Sequence, residues 1–338
     1  MSRPRVLVVD DSAFARTVLA RLLRATGQID VVATARDGAD ALDRIAALDP
    51  DVITLDLTMP TVDGLAVLRA LAGRPRPRAI VVSISTIDSE IGAEALTLGA
   101  VDLIAKPTAL ANDRLHEIGE QLVATVLAVA AGLAPPVPAV VAPVTRVSVG
   151  LGAELIMIGT STGGPQALTR LISALPASLA APVAMVLHIP PGYTASLAQR
   201  LDKISALEVM EAEDGLELRV GRVVLARGGL HLRVERVADR LVARLGQPTA
   251  RQFTPSVDEL FESGAAVVGA RALGVVLTGM GDDGLVGARL IAAAGGALLT
   301  ESSSSCVVYG MPRCVYEAGL GAVDVPLDLM AEEIAKRA

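Results

Sequence analysis

Short apolar runs alternate with helix-period stretches along most of this chain, and the alternation halts once, in a proline-broken segment, before it resumes. Residues 6–9, 31–34, 52–55, 80–84 and 102–104 read as strands, with helical stretches such as 13–24, 38–47 and 65–71 between them. Such βα repetition builds a doubly wound parallel sheet, because each helix must carry the chain back across one face. Leu115, Ile118, Leu122 and Val126 continue at helical spacing and close the first unit. The stretch 135–150, rich in Pro, Val and Ala without a hydrophobic period, reads as a semi-extended linker. The rhythm restarts with strand 155–158, helix 165–174 and strand 183–187. Segments 218–225, 230–237 and 241–245 look like a β-rich insertion. Helix 256–266, strand 272–277, helix 285–294 and strand 297–300 then resume the pattern. The expected class is α/β: two doubly wound parallel-sheet domains, 1–122 and 151–338, joined by a helix end and linker over 123–150. The second domain carries a β-hairpin insertion. A chain of 338 residues also exceeds the ~250–300 at which single cores stop growing.

Charge narrows the partners. The formal net charge is −7, and the basic residues are scattered; Arg233, Arg236 and Arg240 are interleaved with Glu235 and Asp239. Nucleic-acid binding needs a clustered positive surface and is not expected. Cys306 and Cys314 are too few for a disulfide framework. The chain enters a strand within its first residues, without a signal-peptide pattern. The uncharged stretch 122–144 is broken by prolines at 135, 136, 138 and 143, leaving less than the ~20 apolar residues a spanning helix needs. The expectation is a cytoplasmic protein with no membrane insertion.

Asp10 and Asp11 follow the first strand and Asp56 follows the third. In an open α/β sheet the carboxyl ends of strands gather at one edge, where ligands bind. Three carboxylates there repel one another unless a hard cation such as Mg²⁺ joins them, so Asp10, Asp11 and Asp56 are a candidate metal set. With that charge neutralised, Asp56 can attack a phosphoryl donor. Ser83, after the fourth strand, offers a hydroxyl to a phosphoryl oxygen. Lys106, after the fifth and before Pro107, offers a positive charge. Helix capping would account for Asp10 or Asp11 singly, but not for the whole set. Together with Asp56-Leu-Thr-Met-Pro-Thr-Val-Asp-Gly64 and Lys106-Pro107, these residues resemble the receiver domain of two-component response regulators.

A second constellation lies beyond the linker. Ile156-Met-Ile-Gly-Thr-Ser161-Thr-Gly-Gly164 is an apolar strand running into a glycine-flanked serine and then a helix. Gly159-Thr-Ser161-Thr-Gly163 fits the G-x-S-x-G nucleophile pattern in the strand-turn-helix setting that pattern requires. The helix start can offer backbone N–H groups to an oxyanion. Taken alone, the turn suits a phosphate-binding loop equally well. A histidine base separates the two readings, and the chain has three. His116 falls on the last helix of the first domain, at a surface position by pattern. His231 falls in the β-rich insertion. His188 ends strand 183–187 and precedes Ile-Pro-Pro-Gly, so it stands at the carboxyl end of a strand neighbouring that of Ser161. An acid must orient the imidazole, and Val275-Val-Leu-Thr-Gly-Met-Gly-Asp-Asp-Gly284 places Asp282 and Asp283 at another strand end. The same stretch, Gly279-x-Gly281-x-x-Gly284 with Glu301 beyond, is also a dinucleotide-binding fingerprint, although two aspartates there would face a pyrophosphate with like charge. Cys306 as a nucleophile lacks a histidine partner.

The whole chain resembles the chemotaxis response-regulator protein-glutamate methylesterases. The resemblance rests on the receiver motifs, Gly159-Thr-Ser-Thr-Gly-Gly164, His188-Ile-Pro-Pro-Gly192, Pro255-Ser-Val-Asp258, Thr278-Gly-Met-Gly-Asp-Asp-Gly284 and Cys306-Val-Val-Tyr-Gly-Met-Pro312. It implies a flavodoxin-like receiver followed by a Rossmann-like catalytic domain. It places the catalytic triad on Ser161, His188 and Asp283, leaves Asp282 a variable loop position and makes Met280 a candidate oxyanion donor. Asp56 is the implied phosphorylation site, with Ser83 and Lys106 as switch residues. The implied substrate is a glutamate methyl ester on methyl-accepting chemotaxis receptors, and the products are glutamate and methanol. Glutamine deamidation by the same acyl chemistry is implied as well. The implied phosphodonor is a chemotaxis histidine kinase, with Mg²⁺ in the receiver and no cofactor in the catalytic domain. The unphosphorylated receiver is expected to cover the catalytic face. One departure stands out: Arg commonly precedes Pro-Ser-Val-Asp, whereas here Phe253-Thr254 does, which bears on contacts at the substrate rim. A general carboxylesterase would need no receiver, a phospho-switched adaptor would tolerate loss of Ser161, and a transcriptional regulator would need a basic helix-turn-helix.

Overall fold

A computed structural model of the chain describes residues 3–84, 89–106, 112–132 and 152–338. It divides into two compact units, Met1–Ala134 and Pro135–Ala338. Pro107, the side chain of His116 and the linker 135–150 lie outside the described residues. No described helix is long and apolar enough to cross a membrane.

The first unit alternates strand and helix throughout: β1 (Arg5–Val9), α1 (Ala13–Ala25), β2 (Asp30–Ala35), α2 (Gly38–Leu48), β3 (Val52–Leu55), α3 (Gly64–Leu71), β4 (Arg78–Ile84), α4 (Ser89–Thr97), β5 (Asp102–Lys106) and α5 (Asn112–Ala131). The five strands are parallel in the order β2-β1-β3-β4-β5, the flavodoxin-like arrangement. Strand β3 is buried along its whole length, as expected where helices cover both faces of a parallel sheet. Ser12, Asp37 and Asp63 each accept a backbone N–H at the start of α1, α2 and α3, which gives these helices sharp beginnings. Ser83 lies inside β4, within the apolar run 80–84 and not after it. Lys106 is the last residue of β5, whose pairing with β4 extends it past the run 102–104. Helix α5 continues to Ala131, and Val126 and Val129 are fully buried.

The second unit holds β6 (Leu155–Thr160), α6 (Gly164–Ala174), β7 (Val183–Leu187), α7 (Thr194–Ile204), β8 (Glu208–Glu211), β9 (Glu217–Leu218), β10 (Arg222–Leu225), β11 (His231–Val237) and β12 (Arg240–Gly246). After these come α8 (Val257–Val268), β13 (Ala272–Val276), α9 (Leu285–Ala293), β14 (Ala297–Glu301), α10 (Met311–Glu317), β15 (Val323–Val325) and α11 (Leu327–Ala335). The main sheet is parallel, ordered β15-β14-β13-β6-β7-β10-β8. The hairpin β11-β12 and the short β9 form a separate antiparallel sheet. Segment 218–225 is therefore not one insertion strand. A turn at Gly221, with φ of +83°, splits it, and β10 joins the main sheet beside β7. Between the hairpin and the sheet lies α8, whose Phe261 is fully buried among Leu155, Met157, Val234 and Ile291. A side chain so enclosed contributes about 1.5–3 kcal/mol. That packing holds the start of α8 against the sheet edge where the site forms.

Candidate active site

In the first unit the chain order reverses at the β1/β3 junction, so Asp10, Asp11 and Asp56 emerge at the switch point where ligands bind in such sheets. Ligand oxygens of these three carboxylates lie within 4.8 Å of one another, with Asp10 and Asp56 buried and Asp11 exposed. Lys106 Nζ donates to Asp10 Oδ2 at 2.6 Å and to Asp56 Oδ2 at 2.5 Å. Burial raises the Asp10 pKa, and Lys106 only partly offsets it. For Lys106, burial acts to lower the pKa, but the combined pull of Asp56 and Asp10 outweighs it and the ammonium titrates above its ordinary value. One lysine against three carboxylates leaves excess negative charge, and an oxygen-only donor set with one exposed member fits a hard divalent cation. Gly64 shapes the loop: a Cβ there would lie 2.4 Å from the Asp56 carbonyl oxygen, so only glycine lets α3 begin this close to the cluster. Ser83 is buried in β4, paired in register with Ala105 beside Lys106.

In the second unit the order reverses between β6 and β13. Strand β6 ends at Thr160, in register with Leu187 of β7, so Ser161 and His188 are the next residues on adjacent strands. The backbone ties them: His188 N donates to Thr160 O at 3.1 Å, and Ser161 N to Thr278 O at 3.0 Å. Gly279 presses on the serine, since a Cβ there would sit 2.9 Å from Ser161 Cβ. The loop carrying Met280, Asp282 and Asp283 thus starts against the Ser161 turn, with Met280 half-buried and Asp282 exposed.

His188 Nε2 lies 2.8 Å from Asp283 Oδ2, both side chains being almost fully buried. Asp283 accepts three further hydrogen bonds: Val257 N at 2.7 Å on Oδ2, with Ser256 Oγ at 2.8 Å and Asp258 N at 3.0 Å on Oδ1. Burial would raise the Asp283 pKa, but His188 and these amides overcome it and hold the carboxyl below its ordinary range. Asp258 returns the arrangement, its Oδ1 accepting Gly284 N at 2.9 Å and Gly287 N at 2.8 Å at the start of α9. Helices α8 and α9 are therefore each capped by an aspartate from the other's leading segment. Burial, with Asp283 beside it, pushes Asp258 up to about 6 against the pull of these amides and Arg251. His188 Nδ1 is buried without a hydrogen-bond partner, so no bond to Ser161 is closed in this structure. Catalytic hydrogen bonds are commonly loose before substrate binds.

The remaining candidates are occupied elsewhere. His231 opens β11, buried, with Nε2 3.3 Å from Thr249 Oγ1. Glu301 is buried and accepts Thr278 N and Ser305 Oγ, which removes the acid a dinucleotide ribose would need. Burial, together with Glu301, pushes the Cys306 thiol far above its ordinary value, opposite to what a thiolate nucleophile requires. Sequence reasoning gave no role to Ser256 or Asp258, and connected Phe253 only with contacts at the substrate rim. Pro255-Ser-Val-Asp258 was visible as a motif, but its purchase on Asp283 arises only when α8 meets the β13–α9 loop. The Phe253 ring stacks on the His188 imidazole, with centroids 4.2 Å apart and planes within 12°.

Residues 156–334 match the family described as CheB methylesterase, and residues 6–118 match the response regulator receiver domain. A protein-glutamate methylesterase/protein-glutamine glutaminase of Myxococcus xanthus is 57% identical over 332 residues, spanning 96% of this chain and 95% of that protein. A namesake from Symbiobacterium thermophilum is 44% identical over 99% of this chain and 98% of its own. The crystal structure of the Thermotoga maritima CheB methylesterase catalytic domain superposes with a TM-score of 0.54 at 36% identity, covering 56% of this chain and all of that one.

Proposed function

The chain belongs to the CheB methylesterase family, and from that premise we propose that it is a phosphorylation-activated hydrolase of glutamate methyl esters on methyl-accepting chemotaxis receptors. Its activities are those of a protein-glutamate methylesterase and protein-glutamine glutaminase. The observation that carries the mechanism is the buried 2.8 Å contact between His188 and Asp283 at the strand edge where Ser161 emerges. A carboxylate can only accept, so Nε2 carries the hydrogen in that bond and Nδ1 is the nitrogen left to take a proton. Ser161 Oγ attacks the ester carbonyl as Nδ1 removes its proton. The tetrahedral oxyanion is stabilised by backbone amides, with Met280 N the candidate donor from the loop pressed on the serine. Collapse expels the methoxy oxygen, which takes the proton from His188 and leaves as methanol. Water, deprotonated by the same nitrogen, then hydrolyses the acyl-enzyme to glutamate and frees Ser161. With a glutamine side chain the leaving group is ammonia.

Control is assigned to a receiver over 1–122, and catalysis to 151–338. Asp10, Asp11 and Asp56 are the residues that would hold Mg²⁺, which when bound supplies charge neutralisation for an approaching phosphoryl group. The Asp56 carboxylate is the phosphoryl acceptor, Lys106 pairs with the charge that arrives, and Ser83 offers its hydroxyl. The donor is a chemotaxis histidine kinase, and the compartment is the cytoplasm. The test is methanol release from methylated receptor membranes, with and without a small-molecule phosphodonor and Mg²⁺. Ser161→Ala should lower turnover by several orders of magnitude, as nucleophile loss does in triad enzymes. Stimulation by the phosphodonor should need Mg²⁺ and vanish in Asp56→Asn. More than a few per cent of wild-type release from folded Ser161→Ala would refute the nucleophile.

A further inference from the structure

We infer that Phe253 is a positioning residue for the reaction, acting through the imidazole of His188; this rests on the serine–histidine reading above. A single hydrogen bond to Asp283 fixes one ring nitrogen but leaves the imidazole free to rock about that bond. A parallel aromatic face at 4.2 Å and 12° removes that freedom and fixes the plane in which Nδ1 lies. The same face stabilises the imidazolium formed when Ser161 surrenders its proton, because the ring quadrupole attracts a cation over it. The stack therefore favours the charged histidine of the transition state over the neutral one of the resting enzyme, which is the differential stabilisation that raises kcat.

The packing explains why Phe253 holds this place. Val257 N and His188 Nε2 both donate to Oδ2 of Asp283, so the histidine and the segment that carries Phe253 are referred to one oxygen atom. Arg251, two residues before the phenyl ring, is bound to Glu262 of α8 and lies 3.7 Å from Glu259 and 3.6 Å from Asp258. Pro255, two residues after it, is buried. Phe253 is thus clamped on both sides to the helix that Asp283 anchors. The position that looked like a departure at the substrate rim is in contact with the catalytic base itself.

The experiment compares Phe253→Leu, which keeps the apolar cover and loses the ring face, with Phe253→Tyr, which keeps both. In the full-length phosphodonor-treated enzyme, Phe253→Leu should lower kcat for methanol release about tenfold with KM within about twofold, and Phe253→Tyr should restore it. A structural signature accompanies this: proton resonances of the His188 ring, assigned by their loss in His188→Ala, should lie upfield in the wild type and Phe253→Tyr and move downfield in Phe253→Leu. Wild-type kcat in a folded Phe253→Leu overturns the inference, as does a change confined to KM, which would make Phe253 a substrate contact. A Phe253→Tyr enzyme as slow as Phe253→Leu also overturns it. If Phe253→Leu does not fold, the wild-type resonance decides, and absence of the upfield position refutes the stack. Activity surviving Ser161→Ala would instead bring down the underlying reading, so the two failures are distinct.

Discussion

Asp283 shows how much one carboxylate can be asked to do. Its two oxygens accept from His188, Val257, Ser256 and Asp258, so every direction open to it faces a donor. Asparagine in its place brings one acceptor oxygen and one NH₂ group, and the NH₂ must point at a donor whichever way the amide turns. If it faces His188, the imidazole is driven into the tautomer with hydrogen on Nδ1, and the base can no longer take the proton of Ser161. If it faces the other way, toward Ser256 and Asp258, the buried amide of Asp258 loses its acceptor, at a cost of about 1–3 kcal/mol. Asp283→Asn should therefore lower kcat by roughly 10³–10⁴ and lower the melting temperature as well, with KM little changed. Steady-state methanol release and a thermal melt on the same sample check both parts. A variant within tenfold of wild type, with an unaltered melt, would remove Asp283 from the orienting role. The aspartate pair was legible in the sequence because Asp-Asp-Gly closes an apolar strand, and the resemblance singled out Asp283 of the two. Phe253 was not, because a stack is made by two loops meeting in space and leaves no trace in the spacing of either.

At the scale of elements, α8 and α9 are joined by exchange: Asp283 caps α8, and Asp258 caps α9 through the amides of Gly284 and Gly287. The two carboxyl groups are neighbours in a buried place, and Asp258 is the one whose pKa rises, from an ordinary 3.8 to about 6. A carboxyl with a raised native pKa lends stability that is complete below its unfolded value and lost as pH rises through the native one. The loss therefore falls between about pH 4 and about pH 6, and a rise of that size bounds the effect at about 3 kcal/mol. Asp258→Asn mimics the protonated acid and keeps an oxygen for both amides. Its melting temperature should match that of the wild type below about pH 4.5 and exceed it above about pH 6.5. Asp258→Ala should be less stable than Asp258→Asn at every pH, by about 1–2 kcal/mol for the lost cap. Melts across this range decide it, and a difference between Asp258→Asn and wild type that does not vary with pH would count against a raised pKa. The alternation of strands and helices was readable here because its apolar periods are local. Strand β10 was misassigned for the converse reason: 218–225 is a continuous extended-looking run, and only the left-handed turn at Gly221 separates an insertion strand from a main-sheet strand. Lys106 lies within a strand because pairing between β4 and β5 carries extended structure past the last apolar residue.

Among the described residues each of the two units holds one parallel sheet, with its own switch point and its own charged site. Asp56 belongs to the first unit, and Ser161, His188 and Asp283 to the second, so the proposed phosphorylation is read as acting on an equilibrium and not as supplying a catalytic group. What it can do is shift an equilibrium between an arrangement in which the receiver covers the catalytic face and one in which it does not. A tenfold activation needs only ~1.4 kcal/mol of difference between the two arrangements, and contacts between domains within one chain readily exceed that. The second half should stand alone, since the solved Thermotoga maritima CheB methylesterase catalytic domain is matched by this chain over its whole length. Residues 148–338 expressed without the receiver should then release methanol faster than the unphosphorylated full-length enzyme and should ignore a phosphodonor. The full-length chain should approach the fragment's rate on phosphorylation, and Asp56→Asn should remain at the resting rate. A folded fragment slower than the resting full-length protein would reverse the sign of the effect. The receiver would then act by contributing to catalysis or by docking on the receptor, because removing a cover cannot slow the enzyme beneath it.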